Sequence, residues 1–185
     1  MVRAEEIIND HHRDYSRLLC YQKSVIIYDL TYHFCTRFID KHDRTFDQMI
    51  QAARSGKQNI VEGYVDSPTS TEMSIKLYNT ARGSIAELLE DYKDYLRTRN
   101  LEIWDITSDK VEYMRKLGKE RTESEYFIKL AECRDDATIA NMAIVLIHQA
   151  ETLLKKFIDS EIMRFSQDGG FREKMTKIRL QSRKL

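Results

Sequence analysis

Apolar residues along this chain recur at steps of three and four, the period of a helix that buries one face. Over 15–39 they are Ile27, Leu30, Phe34 and Phe38, and the polar run 40–44 interrupts them. A second helix opens at Thr45, where Thr45 and Gln48 have the spacing of a capping box. Its stripe is Phe46, Met49, Ile50, Ala53 and Ile60, and Gly63, Ser67 and Pro68 end it. Proline disfavours a helical residue before it, so this boundary has a physical cause. A third helix opens at Thr69 with Glu72, again a capping box. Ile75, Tyr78, Ile85, Leu89, Tyr92 and Leu96 lie along its seam. Ala81, Gly83 and Ser84 between them are small, and small residues let a neighbouring helix come close.

The pattern then shortens. A connection over 100–108 holds the only tryptophan, Trp104. A short helix over 109–117 carries Val111, Met114 and Leu117, with Gly118 to end it. Thr122 and Glu125 form a third capping-box pair before Phe127 and Leu130. The last long helix, 136–165, has the stripe Ile139, Met142, Leu146, Ala150, Leu153 and Phe157. Gly169 and Gly170 break it, and a tail follows with six cations, Arg172, Lys174, Lys177, Arg179, Arg183 and Lys184. Four long amphipathic helices can bury their stripes only against one another. The expected architecture is therefore all-α: an antiparallel four-helix bundle over 1–168, a helical insertion between helices 3 and 4 at about 105–133, and a basic C-terminal tail over 169–185.

Composition agrees with long helices. One proline and six glycines in 185 residues are too few for a turn-rich β fold. Charged residues reach 32%, as amphipathic helix surfaces require, yet the formal net charge is zero. Any nucleic-acid binding must then come from a local patch. Cys20, Cys35 and Cys133 are widely spaced and odd in number, which points to a reducing compartment. The most apolar stretch, 139–147, is short for a membrane span and carries Asn141. The N-terminus lacks the basic start and apolar centre of a signal peptide, so the expectation is cytoplasmic.

Sites with recognisable chemistry are not written into the pattern. A di-iron bundle needs Glu-x-x-His pairs, but the residues three before the histidines are Ile8, Asn9, Leu30, Ile39 and Val145. The cysteines lack zinc-site spacing, no phosphate-binding glycine loop occurs, and no cofactor is expected. Glu87, Glu90, Asp91 and Asp94 read as a solvated face, and His148 as a core or interface histidine bonded to a neighbour.

Three segments carry a family resemblance. Ile50-Gln51-Ala52-Ala53-Arg54-Ser55, then Asn59-Ile60-Val61-Glu62-Gly63-Tyr64, then Ala81-Arg82-Gly83-Ser84-Ile85-Ala86-Glu87-Leu88 follow one another in order and spacing. Together they resemble the small four-helix-bundle proteins encoded in intervening sequences of bacterial 23S ribosomal RNA genes. Val25, Tyr28, Asp29 and Thr31 on the first helix are similar as well. The resemblance covers about 21–99 well and the last helix loosely. Ala52 and Ala53 stand where the family pattern has the first basic residue of an Arg-Arg pair, and the insertion and tail resemble the longer, suffix-domain members. The resemblance implies structural roles for Asn59, Glu62, Gly63, Gly83 and Ser84. It also implies a non-enzymatic homo-oligomer, ring-like and pentameric. The related accessory protein of diversity-generating retroelements works with a reverse transcriptase and binds nucleic acid through a basic surface.

Two function classes follow from the residues. The first is binding of RNA or a ribonucleoprotein through Arg54 and Lys57, one turn apart with Gln51 and Gln58 beside them, aided by the tail cations. The second is a structural or protein-interaction scaffold, for which Tyr64, Tyr78, Tyr92 and Tyr95 are interface candidates and core candidates alike. An enzyme, the third class, predicts a concave pocket with converging polar groups.

Overall fold

The computed structural model describes residues 14–168, together with Thr176 and Leu180. The basic tail residues Arg172, Lys174, Lys177, Arg179, Arg183 and Lys184 lie outside the described residues. A 3-10 turn, Tyr15–Arg17, precedes α1 (Leu19–Phe38), α2 (Arg44–Asp66), α3 (Thr71–Thr98), α4 (Asp109–Glu120), α5 (Ser124–Glu132) and α6 (Asp136–Asp168). Among the described residues there is no strand, so the all-helical class is as the periodicity predicts.

The helix starts differ from the capping boxes in an instructive way. At α2 the cap is Asp43, whose Oδ1 accepts the Thr45 N–H at 2.9 Å. At α3 it is Ser70, whose hydroxyl accepts the Met73 N–H at 3.3 Å. At α5 Glu123 holds the cap position, and its carboxylate accepts the preceding Thr122 N–H. At α2 and α3 a polar residue one or two positions before or after the expected threonine, already in extended backbone, takes the role, while Glu123 makes no side-chain cap bond to α5. Two helix ends move as well. Gly63 and Gly118, expected as terminators, lie inside α2 and α4. Neither has the positive φ that a glycine stop uses; both serve instead as places of close packing.

Each of the long helices α1, α2, α3 and α6 packs against two of the others: α1 on α2 and α6, α3 on α2 and α6. A Cβ on Gly56 would meet Ile85, and one on Gly63, two turns later, would meet the Tyr78 ring, so α2 and α3 run in opposite directions. Tyr95 bonds Asp136 at one end of α3 and Tyr78 stacks on Phe157 at the other, so α3 and α6 are also antiparallel. Ile27, Leu30, Phe34, Ile60, Tyr78, Tyr92, Leu96, Ile139 and Leu146 are fully buried in the shared core. Burial of each aliphatic or phenyl side chain among them contributes about 1.5–3 kcal/mol. Tyr78, Tyr92 and Tyr95 are core residues, and Tyr92 satisfies its hydroxyl on Thr31 at 3.0 Å.

α4 and α5 are held to α1 by two cations. Lys23 Nζ donates to the Gly118 carbonyl in the last turn of α4, and Arg37 donates to the carbonyls of Ala131 and Arg134 at the end of α5. Both fill the carbonyl positions that a helix end leaves open, where a positive charge is favoured. α5 lies on α1, and α4 on α6. The segment over 101–106 is fastened by buried Asn141, which accepts the Trp104 N–H at 2.8 Å and donates to the Glu102 carbonyl at 2.8 Å. Asn141 is thus the polar interruption of the most apolar stretch for a reason internal to the fold. α6 is long and apolar enough to cross a membrane by length and composition, but much of that stretch is buried against α1, α3 and α4, as in the core helix of a soluble protein.

Candidate functional site

The candidate nucleic-acid residues lie on α2. Gln51 and Arg54 are exposed, Gln58 is half-buried, and the three share one stripe. Lys57 turns toward α1 and sits over the Tyr28 ring at 4.1 Å, a cation–π contact. Within 48–61 these two cations are accompanied by no acidic residue. Elsewhere on the helices Lys76, Arg97 and Lys129 pair with carboxylates three or four residues away at 2.8 Å. Arg54 and Lys57 have no carboxylate within ion-pair distance among the described residues.

The residues that carry the resemblance divide. Asn59 donates to the Ser55 carbonyl and hydroxyl, and Ser55 bonds the Ser84 hydroxyl at 2.9 Å, a polar rung between α2 and α3. Gly63 is required: a Cβ there would lie 2.6 Å from the Tyr78 ring. Gly83 does not have the expected role, since no atom lies within 4 Å of a Cβ built on it. The close approach falls at Gly56 and Gly63 on the partner helix, because Gly83 sits on the exposed side of α3. Glu62 is exposed.

The acidic stripe of α3 is largely solvated, with Glu90 paired to Lys93 and Asp94 to Arg97. Asp91 is half-buried; burial, then the charges of Glu87 and Asp94, push its carboxyl above the usual range. Cys20 and Cys35 are buried free thiols, pushed up by burial to about 11 and about 12, while Cys133 is exposed.

The sequence gives little sign of a cavity of about 620 Å³ between α1, α4, α6 and the Trp104 segment. Its size falls in the range of small-molecule pockets, ~300–1,000 Å³. Apolar side chains such as Ile26, Val111, Ile144 and Val145 form its walls. Lys23 is buried at its side, and burial pushes its ammonium down to about 8. Arg115, Lys119 and Lys156 are exposed at its margin. Lys93 and His148 also line it, paired outward to Glu90 and Glu151. No acidic side chain lines it among the described residues. His148 is exposed rather than in the core, bonded through Nδ1 to Glu151 at 3.1 Å. The one signal for this site was indirect: Trp104 and Asn141 stand out in their segments, but nothing in the sequence brings them together.

No protein-family model matches the chain, nor does any curated protein or solved structure.

Proposed function

We propose that this chain is a non-catalytic, oligomeric helical-bundle protein that binds RNA or a ribonucleoprotein partner through α2. Its four long helices form one antiparallel bundle, with α4 and α5 as the insertion. The observation that carries the reading is that Arg54 and Lys57 on α2 have no carboxylate within ion-pair distance among the described residues. Arg54 is exposed on a stripe with Gln51 and Gln58, with no acid within 48–61, whereas Lys76, Arg97 and Lys129 pair with carboxylates on their own helices. Such a stripe offers phosphate oxygens both charge and amide donors. In a ring-like homo-oligomer it would recur around the axis and multiply weak contacts. The tail cations would add to it. The non-catalytic part rests on the chemistry of the polar groups: among the described residues the His148 ring bonds the Glu151 carboxylate, and the neighbouring Thr152 hydroxyl is committed to the His148 carbonyl rather than to the ring.

The test is anisotropy of a labelled structured RNA at low and moderate salt. Expected is binding that weakens steeply with salt, with the logarithmic salt slope reduced by about 1–2 in R54A/K57A, since each phosphate contact contributes ~0.9. Absence of binding at low salt by folded protein overturns the reading. The alternative, an interaction scaffold without nucleic acid, draws support from exposed Val65 and Met73 on either side of the α2–α3 turn rather than from the buried tyrosines.

A further inference from the structure

We propose that the cavity beneath α4 is a binding site for a single-chain amphiphile with an anionic head, carboxylate or phosphate. This site stands apart from the α2 stripe, because α2 and α6 occupy opposite corners of the packed helices.

Shape is the first argument. Along α6 the lining runs from Asn141 to Lys156. At 1.5 Å per residue that is about 22 Å of helix. A volume of 620 Å³ spread over such a length describes a narrow channel, suited to an extended chain rather than a compact ring system.

Charge is the second, and it is distributed unevenly. Lys23, Lys119 and Lys156 belong to the part of the channel beside the start of α1 and the end of α4, whereas Arg115, one turn back along α4, donates to the Ile106 carbonyl toward the other end. None of the four has a carboxylate within ion-pair distance among the described residues. The opposite part is lined by Ile103, Trp104 and Ile106. There Asn141 has its amide committed to Trp104, Glu102 and Ala137, so its polar atoms are taken. A ligand that complements this arrangement has an anionic head among the lysines and an apolar body directed toward Trp104.

Lys23 gives the third argument. Its ammonium is buried with a single hydrogen-bond partner, the Gly118 carbonyl, and a distant ring contact with Phe127 at 5.8 Å. A buried cation without a counter-ion is costly, and an anion in the channel would supply one. The carbonyl bond explains why a lysine stands there. It does not explain why two more cations, Lys119 and Lys156, gather at the same end with no acid in the lining.

Trp104, the only tryptophan, makes the experiment direct. The full chain is titrated with hexadecanoate and with hexadecyl phosphate, kept below their aggregation limits, and Trp104 emission is followed. Hexadecanol and inorganic phosphate are the matched controls, each carrying half of the proposed chemistry. Saturable binding of either amphiphile is expected, with hexadecanol and phosphate at least tenfold weaker. K119A/K156A changes only exposed side chains and keeps the fold, confirmed by its circular dichroism melt. It is expected to weaken amphiphile binding about tenfold, the size that two exposed charges carry together. The preferred head group separates the two ligand classes. Equal affinity for hexadecanol, or an unchanged affinity in K119A/K156A, overturns the proposal, because the cations would have no part. No response to either amphiphile overturns it as well. Displacement of the amphiphile by short RNA, lost in K119A/K156A but kept in R54A/K57A, would assign these lysines to phosphate backbones instead.

Discussion

Replacing Lys23 by Met tests how α4 is held to α1. Methionine keeps the length of the side chain and removes the charge. In the folded protein burial lowers the Lys23 ammonium from 10.5 to about 8, a difference on the order of 3 kcal/mol between its charged and neutral forms. Against this relief stands the loss of a hydrogen bond from a charged donor to the Gly118 carbonyl, worth about 1.5–3 kcal/mol. The two nearly cancel, so K23M should be within about 1 kcal/mol of the parent at pH 7. The pH dependence does not cancel. Between pH 8 and 10.5 the unfolded chain binds a proton at Lys23 that the folded chain has lost, so parent stability rises with pH through that window. From these two values the parent should gain about 1.3 kcal/mol relative to K23M between pH 7 and pH 9. Urea unfolding of both proteins at the two pH values, followed by far-ultraviolet circular dichroism, measures it. Cys20 and Cys35 retain their protons longer in the folded state and so act in the opposite direction, but they do so in both proteins and drop out of the difference. Parallel stability curves for parent and K23M would show that the ammonium is hydrated in the folded protein and refute the reasoning.

The glycines give a paired prediction by thermal melts: G83A, facing open space, should stabilise by about 0.5–1 kcal/mol through helix propensity. G118A, whose new Cβ would collide with the Gln149 amide and crowd Leu146 at 3.1 Å, should destabilise by about 1–3 kcal/mol. N141L leaves the Trp104 N–H and the Glu102 carbonyl without partners, and should cost about 2–4 kcal/mol. Acrylamide should then quench Trp104 more readily in the variant, and unchanged quenching would mean that Asn141 does not hold the segment.

Periodicity made the long helices legible, because each has a stripe that can be buried only one way. The ends were less legible. Threonine and glycine mark boundaries statistically, whereas the actual caps Asp43 and Ser70 were selected by which residue first left the helical backbone. Gly83 and Gly63 show the same limit. Both are glycines in helical segments, and only the rotation of each helix about its axis decides which one meets a neighbour. The tyrosines were ambiguous between core and interface until the packing put Tyr78 and Tyr92 inside. The cavity was beyond reach for a further reason. Its walls come from residues about 70 to 130 positions apart, from Leu19 and Lys23 to Lys93 and Lys156, and no local pattern records such a meeting.

The cations that cap α4 and α5 also bear on the order of assembly. Lys23 and Arg37 reach carbonyls 94 to 97 residues further along the chain. The turn between α2 and α3, by contrast, brings its two helices together across only a few residues. Closing a long loop loses more chain entropy before any contact repays it, so short-range pairings form first. The α2–α3 hairpin is therefore the natural starting point of folding, and α4 and the Trp104 segment can settle on α6, 34 to 37 residues away, before α1 joins them. The side of the cavity that α1 supplies is then the last to close.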